Sequence, residues 1–239
     1  MQFEGAALLR NMLSRPMRKA TLLLLGSTLL ACTWRQFGSA EFFSEAIAPR
    51  WPAAGADWAP GVYTLAMAFV LLGCVPAVLV RVVLRERLAD YGLAWGHWRF
   101  GLLAAVVATP LLLLIAYLAA ASAAFQAVYP INRAAGQSAG HFALHIATLG
   151  LFYLGWEFHF RGFLQHGLVA GLGREQALLV QVLASTLAHL GKPGGELFGS
   201  VVAGLLWGAM TFRSRSILTS TLQHWIVGAS LDGFVCLGR

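Results

Sequence analysis

The sequence predicts an all-α fold, a polytopic transmembrane bundle of about seven helices (six to eight), on three observations. The chain is 58% hydrophobic and only 11% charged, whereas a soluble domain carries roughly a quarter charged residues. Its mean hydropathy is +0.69 over 239 residues. Apolar stretches close to the spanning length of about 20 residues recur at 17–37, 62–80, 101–121, 142–163, 174–190, 197–212 and 217–237. The loops between them are too short for a second unit, so residues 1–239 read as a single integral membrane domain.

The first span follows the basic lip of Arg15, Arg18 and Lys19. Leu29-Leu30-Ala31-Cys32 within it is similar to a lipoprotein cleavage site, but Leu30 departs from the small residue usual there, and the segment is read as a retained span. Residues 38–60 carry acids and prolines and read as an external loop with a short interfacial helix at Phe42 to Ile47. Trp34, Trp51 and Trp58 fit an aromatic belt at that boundary. Arg85 to Leu93 connects the second and third spans, and Pro76 and Pro110 fall inside spans, where neighbouring helices satisfy the freed carbonyls. Gly171-Leu172-Gly173 ends the fourth helix, as glycine does at helix C-termini. A hairpin returns through Glu175 to His189.

The net charge of +7 and pI near 9.9 reflect topology rather than a nucleic-acid partner, because the cations alternate with the spans instead of clustering on one soluble face. Arg10, Arg15, Arg18, Lys19, Arg81, Arg85, Arg87, Arg99, Arg161, Arg174, Arg213 and Arg215 fall on one side. Arg35, Arg50, Arg133, Lys192 and Arg239 fall on the other. The positive-inside bias puts the N-terminus in the cytoplasm and the C-terminus outside. Cys32, Cys74 and Cys236 lie far apart in apolar spans and read as small buried hydrophobes, with no disulfide framework.

Ionisable groups within spans carry the functional signal, since a charge at a helix centre costs about 2.5–3.5 kcal/mol by insertion scales. Glu157 and Arg161 sit together in Trp156-Glu157-Phe158-His159-Phe160-Arg161-Gly162 and form an i, i+4 pair on one helix face. Counted from Gly171 at about 1.5 Å per residue, Glu157 lies roughly 21 Å back and His189 roughly 27 Å forward. The two therefore reach similar depth on adjacent antiparallel helices. His224 adds a third polar element on the last span, with Asp232 two turns beyond it as a pairing or cavity-lining group. His159 reads as a polar residue of the helix face, or as a substitute basic group. His97, His141, His145 and His166 read as interfacial or packing residues. Lys192 and Glu196 read as a solvated turn pair, or as a gate.

These residues resemble the CAAX-protease and bacteriocin-processing (CPBP, or Abi) family of intramembrane endopeptidases over roughly residues 85–232. Asp90-Tyr91-Gly92-Leu93 is similar to its lead-in before a span. The family pattern of Glu-Glu-x-x-x-Arg, Phe-x-x-x-His and His-x-x-x-Asn becomes Trp156-Glu157-x-x-x-Arg161, Ser185-x-x-x-His189 and His224-x-x-x-Gly228 here. Trp156 replaces the glutamate credited with activating water, and Gly228 replaces an asparagine credited with oxyanion binding.

The resemblance implies peptide hydrolysis by a glutamate-activated water. Glu157 would act as base, Arg161 would orient it, and His189 and His224 would orient the water and stabilise the oxyanion. It implies no cofactor, although Glu157, His189 and His224 also form a set of the kind that holds catalytic zinc. The expected partners are the lipid bilayer and a membrane-associated or membrane-anchored peptide substrate: a prenylated CAAX protein, a bacteriocin leader or a C-terminal sorting tail. The expected location is a bacterial inner membrane. Trp156 and Gly228 keep a second class open, an inactive relative acting as a membrane binding or scaffold protein. A transporter would need paired repeats with broken spans, and no such duplication is present.

Overall fold

The computed structural model describes residues 2–12, 14–50 and 57–238, and among them there is no strand. The main helices among the described residues are α1 (Gln2–Met12), α2 (Arg15–Phe37), α3 (Ala59–Val83), α4 (Trp98–Ala120), α5 (139–172), α6 (Arg174–Leu187), α7 (Gly194–Ser214) and α8 (Leu218–Cys236), with shorter helical turns in the connections. Each predicted stretch falls on one of α2 to α8. By length and composition α3, α4 and α7 are able to cross a membrane. Polar side chains dilute the hydropathy of α5 and α8, and α6 is only 14 residues long.

Helix α5 runs through the centre. Every residue from Gly155 to Gln165 is buried, the pattern of a helix enclosed on all sides. Around it the bundle turns its apolar faces outward. On α4, Leu103, Val107 and Leu111 are each more than 60% exposed and recur every fourth residue, a stripe for acyl chains. That outward apolarity corrects the reading of the cysteines, since Cys32 and Cys74 are exposed. In lipid a thiol gains nothing by facing inward, because acyl chains are as apolar as a core.

Close packing and buried amides join the helices. A Cβ on Gly155 would lie 2.9 Å from the Phe69 Cα of α3, so α3 and α5 touch backbone to backbone. Gln165 Nε2 donates to the Gly208 carbonyl at 2.8 Å, and Gln181 Nε2 to the Gly204 carbonyl at 2.8 Å, fastening α5 and α6 to α7. Gln223 Nε2 donates to the Ala105 carbonyl at 3.0 Å, fastening α8 to α4. Gly173, at φ +83°, makes the reversal between α5 and α6.

The connection between α3 and α4 is docked rather than loose. Gly92 is left-handed at φ +81°, and its carbonyl accepts from Ile217 N at 2.9 Å. Lys19 Nζ donates to Glu86 Oε2 at 2.7 Å, and the Tyr91 hydroxyl donates to the same oxygen at 2.5 Å. Partial burial raises the Glu86 carboxyl, but these two hydrogen bonds and the Lys19 charge outweigh it and hold the group below its ordinary 4.5. On the opposite side, Ala40 to Arg50 is helical, as expected for an interfacial segment. Trp58 is 37% exposed, whereas Trp34 turns inward, edge-on to Trp156 with centroids 5.8 Å apart. Trp51 lies outside the described residues.

Candidate functional site

Directly after Glu157 the hydrogen bonding of α5 widens to a π-helix over Phe158–His166. Such segments occur frequently at functional sites, and here Glu157 meets His224 of α8 while Arg161 lies over the Trp207 ring of α7 at 5.8 Å. Glu157 is fully buried and Arg161 is 2% exposed. Arg161 Nη1 lies 3.3 Å from Glu157 Oε1, an ion pair one turn apart. His224 of α8 reaches the same oxygen, with Nδ1 at 2.9 Å. An ionised carboxylate only accepts, so Nδ1 carries the proton and His224 Nε2 keeps its lone pair. Glu157 Oε2 is buried and has no hydrogen-bond partner among the described residues.

His224 is clamped between two aromatic rings. Tyr153 of α5 lies at 4.1 Å and Trp207 of α7 at 4.3 Å, centroid to centroid. Trp207 is itself fixed, because its Nε1–H donates to Gln223 Oε1 at 2.6 Å. Only a narrow edge of the imidazole remains, 16% of the side chain being exposed.

His189 comes close without joining that cluster. It lies just past the end of α6, where Nδ1–H donates to the Ser185 carbonyl at 2.7 Å. That bond leaves Nε2 as an acceptor. The ring stands edge-on to Trp156 at 5.2 Å, beside the residue that precedes Glu157 on α5. Yet the other polar neighbour of His189 is Glu196, at 3.9 Å, not Glu157. Trp156 fills the space beside it. The indole is 4% exposed, and its Nε1–H has no partner among the described residues.

The remaining polar residues take structural places. His159 is fully buried and bonded to Ser27 of α2 at 2.7 Å, away from Glu157. His145 is paired with Asp232 at 2.6 Å, and both are buried. That corrects the packing assignment of His145, which sequence spacing could not pair with a residue 87 positions away. His166 packs edge-on to Phe212 at 5.2 Å. Lys192 and Glu196 are bridged by Tyr129, whose hydroxyl donates to Glu196 at 2.6 Å and accepts from Lys192 at 3.1 Å, so the pair is partly buried rather than solvated.

Among the described residues no group of three or more His, Cys, Asp or Glu side chains is arranged to hold a metal ion. Of the set weighed for zinc, Glu157 and His224 are in contact, and His189 makes its contacts with Ser185, Glu196 and Trp156. Two shallow concavities of about 380 Å³ are lined by residues such as Arg99 and Arg213 or Arg174 and Arg215. Neither is lined by Glu157 or His224. Sequence reasoning missed Tyr153 and Trp207, whose only signal was a polar-tipped aromatic at span depth. It also missed Gln223, an amide adjacent to His224 in an apolar run.

The helical bundle and this internal polar cluster define an integral membrane protein with a buried carboxylate–imidazole–guanidinium site. Residues 138–230, which hold all four of Glu157, Arg161, His189 and His224, match the family described as Type II CAAX prenyl endopeptidase Rce1-like. The match agrees with the resemblance to the CAAX-protease (CPBP) family read from the motifs. It covers a shorter stretch than the 85–232 of the motif resemblance. No curated protein and no solved structure matches the chain.

Proposed function

We propose that the protein is an intramembrane endopeptidase cleaving membrane-associated or membrane-anchored peptides, seated in a bacterial inner membrane with its N-terminus in the cytoplasm. The observation that carries this reading is the bond from His224 Nδ1 to the buried Glu157, which leaves Nε2 at the accessible edge of the ring. Glu157 has one oxygen committed to His224 and Arg161 and is itself inaccessible. In this reading the proton of water therefore goes to His224 Nε2, and Glu157 acts through the ring as a positioning residue. That reverses the base assignment implied by the family resemblance.

Water oxygen attacks the scissile carbonyl carbon while its proton moves to His224 Nε2, and the carbonyl electron pair moves onto oxygen. The imidazolium is stabilised by Glu157, as a carboxylate stabilises histidine in a hydrolase triad. When the intermediate collapses the C–N bond breaks, and His224 returns the proton to the leaving amine. His189 stands beside Trp156, outside the contact of His224 with Glu157, and its Nε2 is an acceptor there. No step calls on a metal ion.

The test is cleavage by the full-length protein in vesicles, on three probes: a farnesylated CAAX peptide, a bacteriocin leader peptide and a C-terminal sorting-tail peptide. Wild type is expected to cleave at least one of them. Glu157→Gln is expected to lower kcat by about 100-fold or more with KM little changed, because a neutral amide no longer stabilises the imidazolium. His189→Ala is expected to lower it less, and a chelator to leave wild type unaffected. Equal rates for wild type and Glu157→Gln, or no cleavage of any probe, would favour the inactive binding protein.

A further inference from the structure

Gly228 lies one turn beyond His224 on α8, and the space that a side chain would fill there is taken by Tyr153. A Cβ on Gly228 would overlap the Tyr153 hydroxyl and stand 2.7 Å from Cε2 and from Cζ. Tyr153 in turn lies one turn before Glu157 on α5, and its ring is tilted against His224 at 4.1 Å. The phenol is thus fixed by two neighbours, Gly228 and His224. Its hydroxyl has no hydrogen-bond partner among the described residues, although Tyr91 and Tyr129 each donate to a carboxylate.

A tetrahedral intermediate needs a donor for its oxyanion, and neither neutral imidazole has one to offer. His224 Nδ1–H is committed to Glu157 and His189 Nδ1–H to the Ser185 carbonyl, which leaves both Nε2 atoms as acceptors. Tyr153, whose ring lies over a face of His224 at 4.1 Å, supplies an O–H beside it. On the reading of the site as a protease, we infer that the Tyr153 hydroxyl is a catalytic donor to the oxyanion, and that Gly228 is glycine because the phenol occupies its side-chain space. The departure at Gly228 from the asparagine of the family motif is then an exchange of donors between α8 and α5.

The experiment uses the full chain in vesicles and whichever of the three probes wild type cleaves. Tyr153→Phe keeps the ring on His224 and removes only the hydroxyl. It is expected to lower kcat by about 100-fold to 1000-fold, the effect of losing one oxyanion donor, with KM and thermal midpoint unchanged. Tyr153→Ala empties the space beside Gly228, and the double variant Tyr153→Ala/Gly228→Asn is expected to regain about tenfold over Tyr153→Ala, because an amide can donate there. A purely structural tyrosine would predict a fall in thermal midpoint and no rescue. If wild type cleaves, Glu157→Gln does not, and Tyr153→Phe keeps the wild-type kcat, the donor role is wrong while the protease reading stands. If wild type cleaves none of the probes, both are overturned.

Discussion

Replacing Glu157 by glutamine isolates its charge, because the amide oxygen still accepts from His224 Nδ1–H while the counter-ion of Arg161 disappears. The guanidinium lies 3.3 Å from the carboxylate, and at an effective dielectric of about 20 the attraction is about 5 kcal/mol. Arg161 is 2% exposed and has no hydrogen-bond partner at Nε or Nη1 among the described residues, so the variant leaves a buried charge uncompensated. Breaking such a pair costs about 3–5 kcal/mol, which for a chain of this size lowers the thermal midpoint by about 6–20 °C. Arg161→Met should cost less, because His224 can take up a proton beside the remaining carboxylate. The double variant should recover part of the loss. Thermal unfolding of all four proteins in one detergent, followed by circular dichroism, gives the coupling. Additive losses would refute the argument, since they would mean that Glu157 and Arg161 do not sense one another.

Two further outcomes follow from contacts away from the site. Glu86 is held below its ordinary 4.5 by Lys19 and Tyr91, so the stability it contributes is present above pH 4.5 and lost as pH falls through the lower folded value. The difference in midpoint between wild type and Glu86→Gln should accordingly vanish in acid, and a difference constant from pH 3 to pH 6 would contradict the clamp. Gly155→Ala should destabilise by about 1–3 kcal/mol, as overpacking does, because its Cβ would stand 2.9 Å from Phe69 Cα and 3.2 Å from the Ala68 carbonyl oxygen. Gly140→Ala on the same helix meets only Ser138 Oγ, at 3.8 Å, and should be neutral or stabilising by up to about 1 kcal/mol. Equal behaviour of the two alanines would mean that α3 and α5 are not in backbone contact.

Hydropathy was enough to place the seven rods, because the need to shed water acts on each stretch of about 20 residues independently. The cost of burying Glu157, Arg161, His189 and His224 singled them out for the same local reason. The i, i+4 spacing was enough to pair Glu157 with Arg161, since both ride on one helix. Side-chain facing was less accessible. Cys32, Cys74 and Trp34 each took the opposite side from the one expected, because in lipid an apolar residue is equally at home outward or inward.

Which imidazole meets the carboxylate was decided by the packing of α8 against α5. His224 lies 67 residues from Glu157 and reaches it at 2.9 Å, while His189, level with it in depth, bonds to its own helix instead. Depth follows from counting residues along a rod, but azimuth does not. It is set by the glycine contact of α3 with α5, the buried glutamines and the π-helical widening at Phe158–His166, all of which exist only once the rods are assembled. The same assembly brought the Tyr153 hydroxyl to the bare backbone of Gly228, a contact between two helices that neither stretch of chain encodes on its own.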